Sequence, residues 1–144
     1  MARHIYRCPL RWSDMDAFGH VNNAVFIRYL EEARIDLTFR VAPGEGSDSF
    51  AGGSVVARHE IDYLRPLVHR YEPVTVETWV TKISAASVHY SYEVKDENHV
   101  YVRATTVVVP YNLAEGRPRR VTAEERAFLE AFREGERTEE AVAV

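Results

Sequence analysis

The sequence is poor in cysteine and has no long apolar run, and each shortage narrows what the protein can be. Cys8 is the one cysteine among 144 residues, so no intrachain disulfide can form and a reducing compartment fits. No stretch approaches the roughly 18 apolar residues of a membrane-spanning helix. The opening Met-Ala-Arg-His-Ile-Tyr-Arg carries no apolar signal region. Both features lead to the expectation of a soluble, cytoplasmic protein that does not engage a membrane. Positive charge is not in excess either. Lys and Arg number 18 against 22 Asp and Glu, for a formal net charge of -4, which argues against bulk affinity for nucleic acid. Internal repeats and low-complexity runs are missing. His4, His69, His89 and His99 show no metal-ligand spacing, so no metal is expected.

What remains is a globular composition, 46% hydrophobic and 28% charged, and a length that suits one domain. The expected division is a folded domain over 1–134 and a flexible tail over 135–144. His4 to Trp12 reads as a strand and Ser13 to Val21 as a loop. Asn22 and Asn23 are good helix N-caps, because their side-chain oxygens accept from free backbone N–H groups. Phe26, Leu30, Ala33 and Leu37 then recur on one helical face, widened by Tyr29. The helix should reach about Val41, where Pro43 and Gly44 stop it, and Pro43 to Gly53 reads as a flexible loop.

Four period-two runs follow. In Val55–Tyr63, Val55, Ala57, Ile61 and Tyr63 alternate with Arg58, Glu60 and Asp62. Val74–Ile83, Ser87–Lys95 and His99–Pro110 are likewise rich in β-branched and aromatic residues. Asp96-Glu97-Asn98 is a hairpin link. Thr122-x-x-Glu125 is a capping box that opens a short closing helix. Short links imply antiparallel pairing. A sheet with one apolar face needs a cover, and the long amphipathic helix alone can supply it. The fold class is α+β, an antiparallel sheet wrapped on a long central helix with a short C-terminal helix. A small wrapped sheet leaves apolar edge and face exposed, notably around Val88, Tyr90 and Tyr92, so a homodimer or homotetramer is expected.

The densest polar cluster, Asp14-Met15-Asp16-Ala17-Phe18-Gly19-His20-Val21-Asn22-Asn23, lies where the long helix begins. Free N–H groups and the positive dipole end gather there. Such a place can hold an oxyanion or polarise a carbonyl, and a carboxylate just upstream can activate water or attack directly. Gly19 lets the loop turn tightly. A capped helix beside a solvated acidic loop is the plainer alternative.

The run from Arg11 to Arg34, RWSDMDAFGHVNNAVFIRYLEEAR, closely resembles the start of hotdog-fold thioesterases of the 4-hydroxybenzoyl-CoA thioesterase type. It is also similar to the HVNN segment of acyl-carrier-protein thioesterases. Ile61 to Leu67, IDYLRPL, resembles the family's second strand and its turn, and Thr122 to Phe132 its closing helix. The resemblance implies hydrolysis of an acyl thioester, acyl-CoA or acyl-carrier protein, without a retained cofactor. It implies that Asp16, the second aspartate of the D-x-D pattern, is the catalytic carboxylate, and that the backbone N–H around Asn23 polarises the thioester carbonyl. It also implies active sites built between two subunits. Family members carry His or an apolar residue where His20 stands. The hydratase branch has a proline between its loop Asp and His, and this loop lacks it.

Other residues bear several readings. Asp14 either sets its charge against Asp16 or, more commonly for such a residue, bonds to loop N–H groups. His20 could orient Asp16 or water, or hydrogen-bond within the turn. His59 reads as a satisfied core residue and Cys8 as a buried strand residue. Glu31 and Glu32 could supply a glutamate of the kind some hotdog thioesterases place on this helix, but Glu31 is placed to pair with Arg34. Tyr63, Arg65, Arg117, Arg119 and Arg120 are substrate-binding candidates, the arginines for CoA phosphates. The competing function is a hotdog protein that binds acyl-CoA without hydrolysing it, as a sensor or carrier.

Overall fold

The structure is a computed structural model that describes residues 3–42, 50 and 53–135. Most of the expected 43–53 loop, and the expected tail beyond residue 135, lie outside the described residues. β1 spans His4–Cys8. It is shorter than the expected His4–Trp12 strand because Pro9 brings no N–H to a ladder. The chain turns instead into a 3-10 turn at Trp12–Asp14. α1 covers Asn23–Ile35 and runs on as a π-helical segment over Asp36–Val41. Ala42 is extended, as the residue before a proline is inclined to be.

The remaining strands are β2 (Ser54–Tyr63), β3 (Val74–Ile83), β4 (Val88–Lys95), β5 (Val100–Asn112) and the two-residue β6 (Arg117–Pro118). The sheet order is β1-β3-β4-β5-β2, with β6 on β5, and all pairings are antiparallel. β6 was not expected, since two residues carry no periodic signal. The closing helix α2 (Ala123–Glu130) begins with the expected capping box: Glu125 N–H donates to Thr122 Oγ1 and Thr122 N–H to Glu125 Oε1.

The sheet curls round α1. Phe26, Tyr29, Leu30, Ala33 and Leu37 are buried against Val76, Val80, Tyr90, Tyr92, Val94 and Val102. Each Leu or Phe removed from water is worth about 1.5–3 kcal/mol, so this contact dominates the stability. It also corrects an expectation: Val88, Tyr90 and Tyr92 are 1% exposed, covered within the subunit rather than offered to a partner. β2 is different. A bulge between Val56 and Arg58 shifts its register on β5, so Val56, opposite Val108, shares the concave side with Ile61 and Tyr63, while Val55, opposite Val109, faces outward. The expected set of Val55, Ala57, Ile61 and Tyr63 on one side is broken by that one extra residue.

The two sheet edges are also unlike. Past β1, the β3 edge is taken by the chain after α2: Val80 N–H donates to Phe132 O and Glu134 N–H to Val80 O. Arg3 then stacks over the Trp79 ring and grips Glu134 through two hydrogen bonds. β2, at the other edge, has no strand beyond it among the described residues.

The loop before α1 is anchored by Asp14, which is 3% exposed. Its Oδ2 accepts from Tyr29 Oη at 2.6 Å and from Arg11 N at 3.0 Å. Burial works against the charged carboxylate, but the Tyr29 hydroxyl and the Arg11 N–H and guanidinium outweigh it and hold the Asp14 pKa below its ordinary value. A folded pKa below the unfolded one makes this contribution complete above roughly pH 4, and lost as pH falls below that. Tyr29→Phe should therefore lower stability by about 1.5–3 kcal/mol in urea unfolding at neutral pH. The difference between the two proteins should shrink as the pH is taken down through the acid range. A variant as stable as the wild type at neutral pH would show that the anchor carries no load.

Candidate active site

Residues 15–21 close on themselves. Gly19 N–H donates to Asp16 O and Asp16 N–H to His20 O, both at 3.0 Å, and Met15 bridges to Val21. The turn needs a φ of 81° at Gly19, a left-handed value that glycine takes without a Cβ penalty. The Asp16 carboxylate is half-buried and each oxygen has one donor. Oδ1 accepts from Phe18 N at 2.9 Å and Oδ2 from Asn22 Nδ2 at 3.0 Å. A carboxylate has about four lone-pair sites, so acceptor capacity remains on both oxygens.

α1 starts directly after this loop. Asn22 is its N-cap, with Oδ1 accepting from Ala24 N at 2.9 Å. Val21 N–H is taken by Leu67 O, Asn22 N–H by Asp14 O and Val25 N–H by Asn22 O. The N–H of Asn23, the first helical residue, has no partner among the described residues. It stands at the positive end of the helix dipole, and Asn23 and Asp16 line the same cleft of about 430 Å³. The side chain that holds Asp16 belongs to Asn22 rather than Asn23.

Tyr63 and Arg65 also line this cleft, with Phe18, His20 and Phe26. Tyr63 Oη donates to Asn23 O at 2.8 Å and its ring meets Phe26 edge-on, which fixes the end of β2 to the start of α1. Arg65 is exposed, and its guanidinium forms no ion pair among the described residues. His20 is exposed at the rim, and its ring makes no hydrogen bond among the described residues. Orientation of Asp16 comes from Asn22 and Phe18 instead.

The structure does not bring the other candidates here. Arg117 is exposed and paired with Glu115. Arg119 is largely buried and grips Glu125 through bonds of 2.7 and 2.9 Å, so its charge holds the α2 cap rather than facing solvent. Arg120 is exposed beyond it. Glu31 and Glu32 are exposed on α1 and line no part of the Asp16 cleft. The expected Glu31–Arg34 pair is not formed: Arg34 turns inward, 7% exposed, and donates to Tyr92 Oη at 3.3 Å. His59 is half-buried and bonded to Thr106 Oγ1; burial, then the nearby Arg34 charge, lowers its pKa. Cys8 is buried, and burial followed by the charge of Asp14 pushes its thiol up to about 12, which withholds the thiolate a nucleophile needs.

Asn22 is the residue that sequence reasoning undervalues. Its place before the helix marks a cap and nothing more. The signal is its asparagine rather than serine or aspartate, since an amide sets an acceptor and a donor on two separate atoms, one for a helix N–H and one for a carboxylate.

Known proteins share this frame. The sequence model of the thioesterase-like superfamily matches residues 10–132. An uncharacterized Bacillus subtilis protein, YsmA, is 30% identical over 124 residues, which is 85% of this chain and 82% of that protein. Among solved structures, a thioesterase from Thermus thermophilus complexed with coenzyme A and zinc is 32% identical, with a TM-score of 0.76 over 89% of this chain and 92% of its own. A putative thioesterase from Pseudomonas aeruginosa is 31% identical, with a TM-score of 0.72 over 86% of this chain and 95% of its own. The family match spans the loop, the helix and the sheet that together make the cleft, and the chain belongs to the thioesterase-like superfamily, as a thioester-hydrolysing enzyme of hotdog fold.

Proposed function

We propose that this protein hydrolyses acyl-CoA thioesters, with Asp16 as the base that activates water or as the nucleophile. The observation that carries the proposal is the pairing of a half-buried carboxylate with an unpartnered helix N-terminal N–H, that of Asn23, in one cleft. A thioester carbonyl oxygen on the Asn23 N–H would gain a preorganised donor as charge develops on it. Asp16, alongside, would take the proton from water or attack the carbonyl carbon. His20 at the rim is in place to exchange protons with solvent. Coenzyme A as the leaving group is supported by the Thermus relative, whose complex contains it. A retained cofactor has no part in these steps.

The cleft is open on the side of β2, and so is the sheet. Ten residues of β2 present an edge with no strand beyond it among the described residues, with Val55 and Val56 each 42% exposed and Tyr63 46%. A long edge with exposed apolar side chains invites pairing with a second strand. We read it as the seam of a homodimer in which β2 pairs with its copy, bringing a partner's strand beside each Asp16 cleft. Arg65 would meet the phosphates of CoA at the mouth.

Three measurements test this reading. Asp16→Asn should cut kcat on the best of a panel of short, long and aromatic acyl-CoAs by about 10²–10⁴-fold, with binding of a non-hydrolysable analogue retained, whereas Asp14→Asn should cost much less. Turnover by Asp16→Asn close to wild type would remove the assignment. Arg65→Glu should raise KM more than it lowers kcat, because a phosphate contact is made equally in ground and transition states; an unchanged KM at low salt would release Arg65 from that role. Light scattering at micromolar concentration should give at least a dimer, and Val56→Asp should shift it toward the monomer. A monomeric wild type would sink the β2 seam.

A further inference from the structure

Four hydrogen bonds of Asn22 each go to a different part of the site. Its N–H donates to Asp14 O and its carbonyl accepts from Val25 N–H, both at 2.9 Å. Its side-chain Oδ1 accepts from Ala24 N at 2.9 Å, and its Nδ2 donates to Asp16 Oδ2 at 3.0 Å. The orientation of this amide is dictated by chemistry. Ala24 N–H can only donate, so the oxygen must face the helix. An ionised carboxylate can only accept, so the nitrogen must face Asp16. Turning the amide over would set donor against donor and acceptor against acceptor, breaking both bonds.

We propose that Asn22 is a positioning residue that couples the helix N-terminus to the Asp16 carboxylate. The proposal rests on Asp16 as the reacting carboxylate. Its Nδ2–H bonds the ionised carboxylate, and a proton placed on Oδ2 would compete with that bond. The bond leaves a second lone pair of Oδ2 open to take a proton from water or to attack. It also sets where Oδ2 stands relative to the Asn23 N–H, because Asn22 and Asn23 are consecutive residues of one helix start. The Phe18 N–H holds Oδ1, so the carboxylate is fixed at both ends and keeps one free lone pair on each oxygen for the cleft. Capping alone does not require asparagine. Serine and aspartate cap helices about as well, but serine carries one terminal atom where asparagine carries two, and aspartate would set a second negative charge against Asp16.

That difference separates positioning from plain capping. Asn22→Ser keeps the cap through its single hydroxyl and removes the separate Nδ2 donor that reaches Asp16; kcat should fall about ten- to a hundredfold, with KM and the thermal midpoint close to wild type. Asn22→Asp keeps the cap, loses the donor and adds a like charge; kcat should fall at least as far as in Asn22→Ser. The readout independent of turnover is the ¹³C resonance of the Asp16 carboxyl at neutral pH. It should move from its wild-type position in Asn22→Ser and in Asn22→Asp, as the Nδ2 bond is lost. If Asn22→Asp fails to fold, Asn22→Ser decides by the same two measurements. An Asp16 carboxyl resonance unmoved in the folded variants, with kcat within about twofold, would overturn the proposal and leave Asn22 a cap only. Full activity in Asp16→Asn together with a moved Asp16 resonance in the Asn22 variants would instead sink the proposed chemistry while the Asn22–Asp16 coupling stood.

Discussion

The free N–H groups at the start of α1 are the constraint on which the site depends. A helix leaves its first N–H groups without partners inside itself, and the loop from Asp14 to Asn22 supplies them one by one. Asn22 caps Ala24, and the carbonyl of Asn22 takes Val25. The N–H of Asn23 is left over among the described residues, and Asn23 lines the cleft. Satisfying the others so fully is what makes the remaining one useful. Its neighbours are committed elsewhere, so the local dipole is directed at whatever enters the cleft. Asp14 and Asp16 divide the work. Asp14 sits buried beneath the loop, held by Tyr29 and Arg11, while Asp16 is held more lightly and faces the opening.

That arrangement needs a helix that does not shift, and the sheet provides it from both faces. On the concave side the apolar stripe of α1 fills the curl. On the convex side a charged layer holds the strands. Glu77 and Glu93 face each other across β3 and β4, a like-charge pair that would repel if left alone. Arg3 and Lys95 each reach both carboxylates, and Arg103, directly opposite Glu93 on β5, closes the group. Glu93 is 1% exposed, so removing one cation would leave a buried carboxylate short of compensation, a change of the costly kind. Arg3 also ties this layer to Glu134 and to the strand-like end of the chain after α2.

One sheet edge is closed by that tie and the other is left open. The open edge is β2, which also carries Tyr63 to the start of α1. The strand that borders the cleft is therefore the strand that lacks a neighbour among the described residues, and the bulge at Ala57 turns Val56 toward the concave side.

Order along the chain is enough to set the succession of elements, the buried stripe of α1, the antiparallel strands, the Asp96 turn, the Thr122–Glu125 box and the crowding of Asp16, Gly19 and Asn23 at a helix start. These are local patterns, governed by periodicity, capping and turn chemistry between residues close in the chain. Packing between distant segments settles the rest. Val88, Tyr90 and Tyr92 face inward or outward according to where α1 lies, and the alternation of β4 is the same either way. Arg34 turns to Tyr92, 58 residues away, rather than to Glu31 on the next turn. Arg119 is drawn to Glu125 and kept from solvent, and a single bulge in β2 undoes an alternation that reads as regular. Asn22 shows the division within one residue. Its capping bond to Ala24 is written in the order of the chain, but its grip on Asp16 exists because the loop folds back on itself, which no spacing along the sequence records.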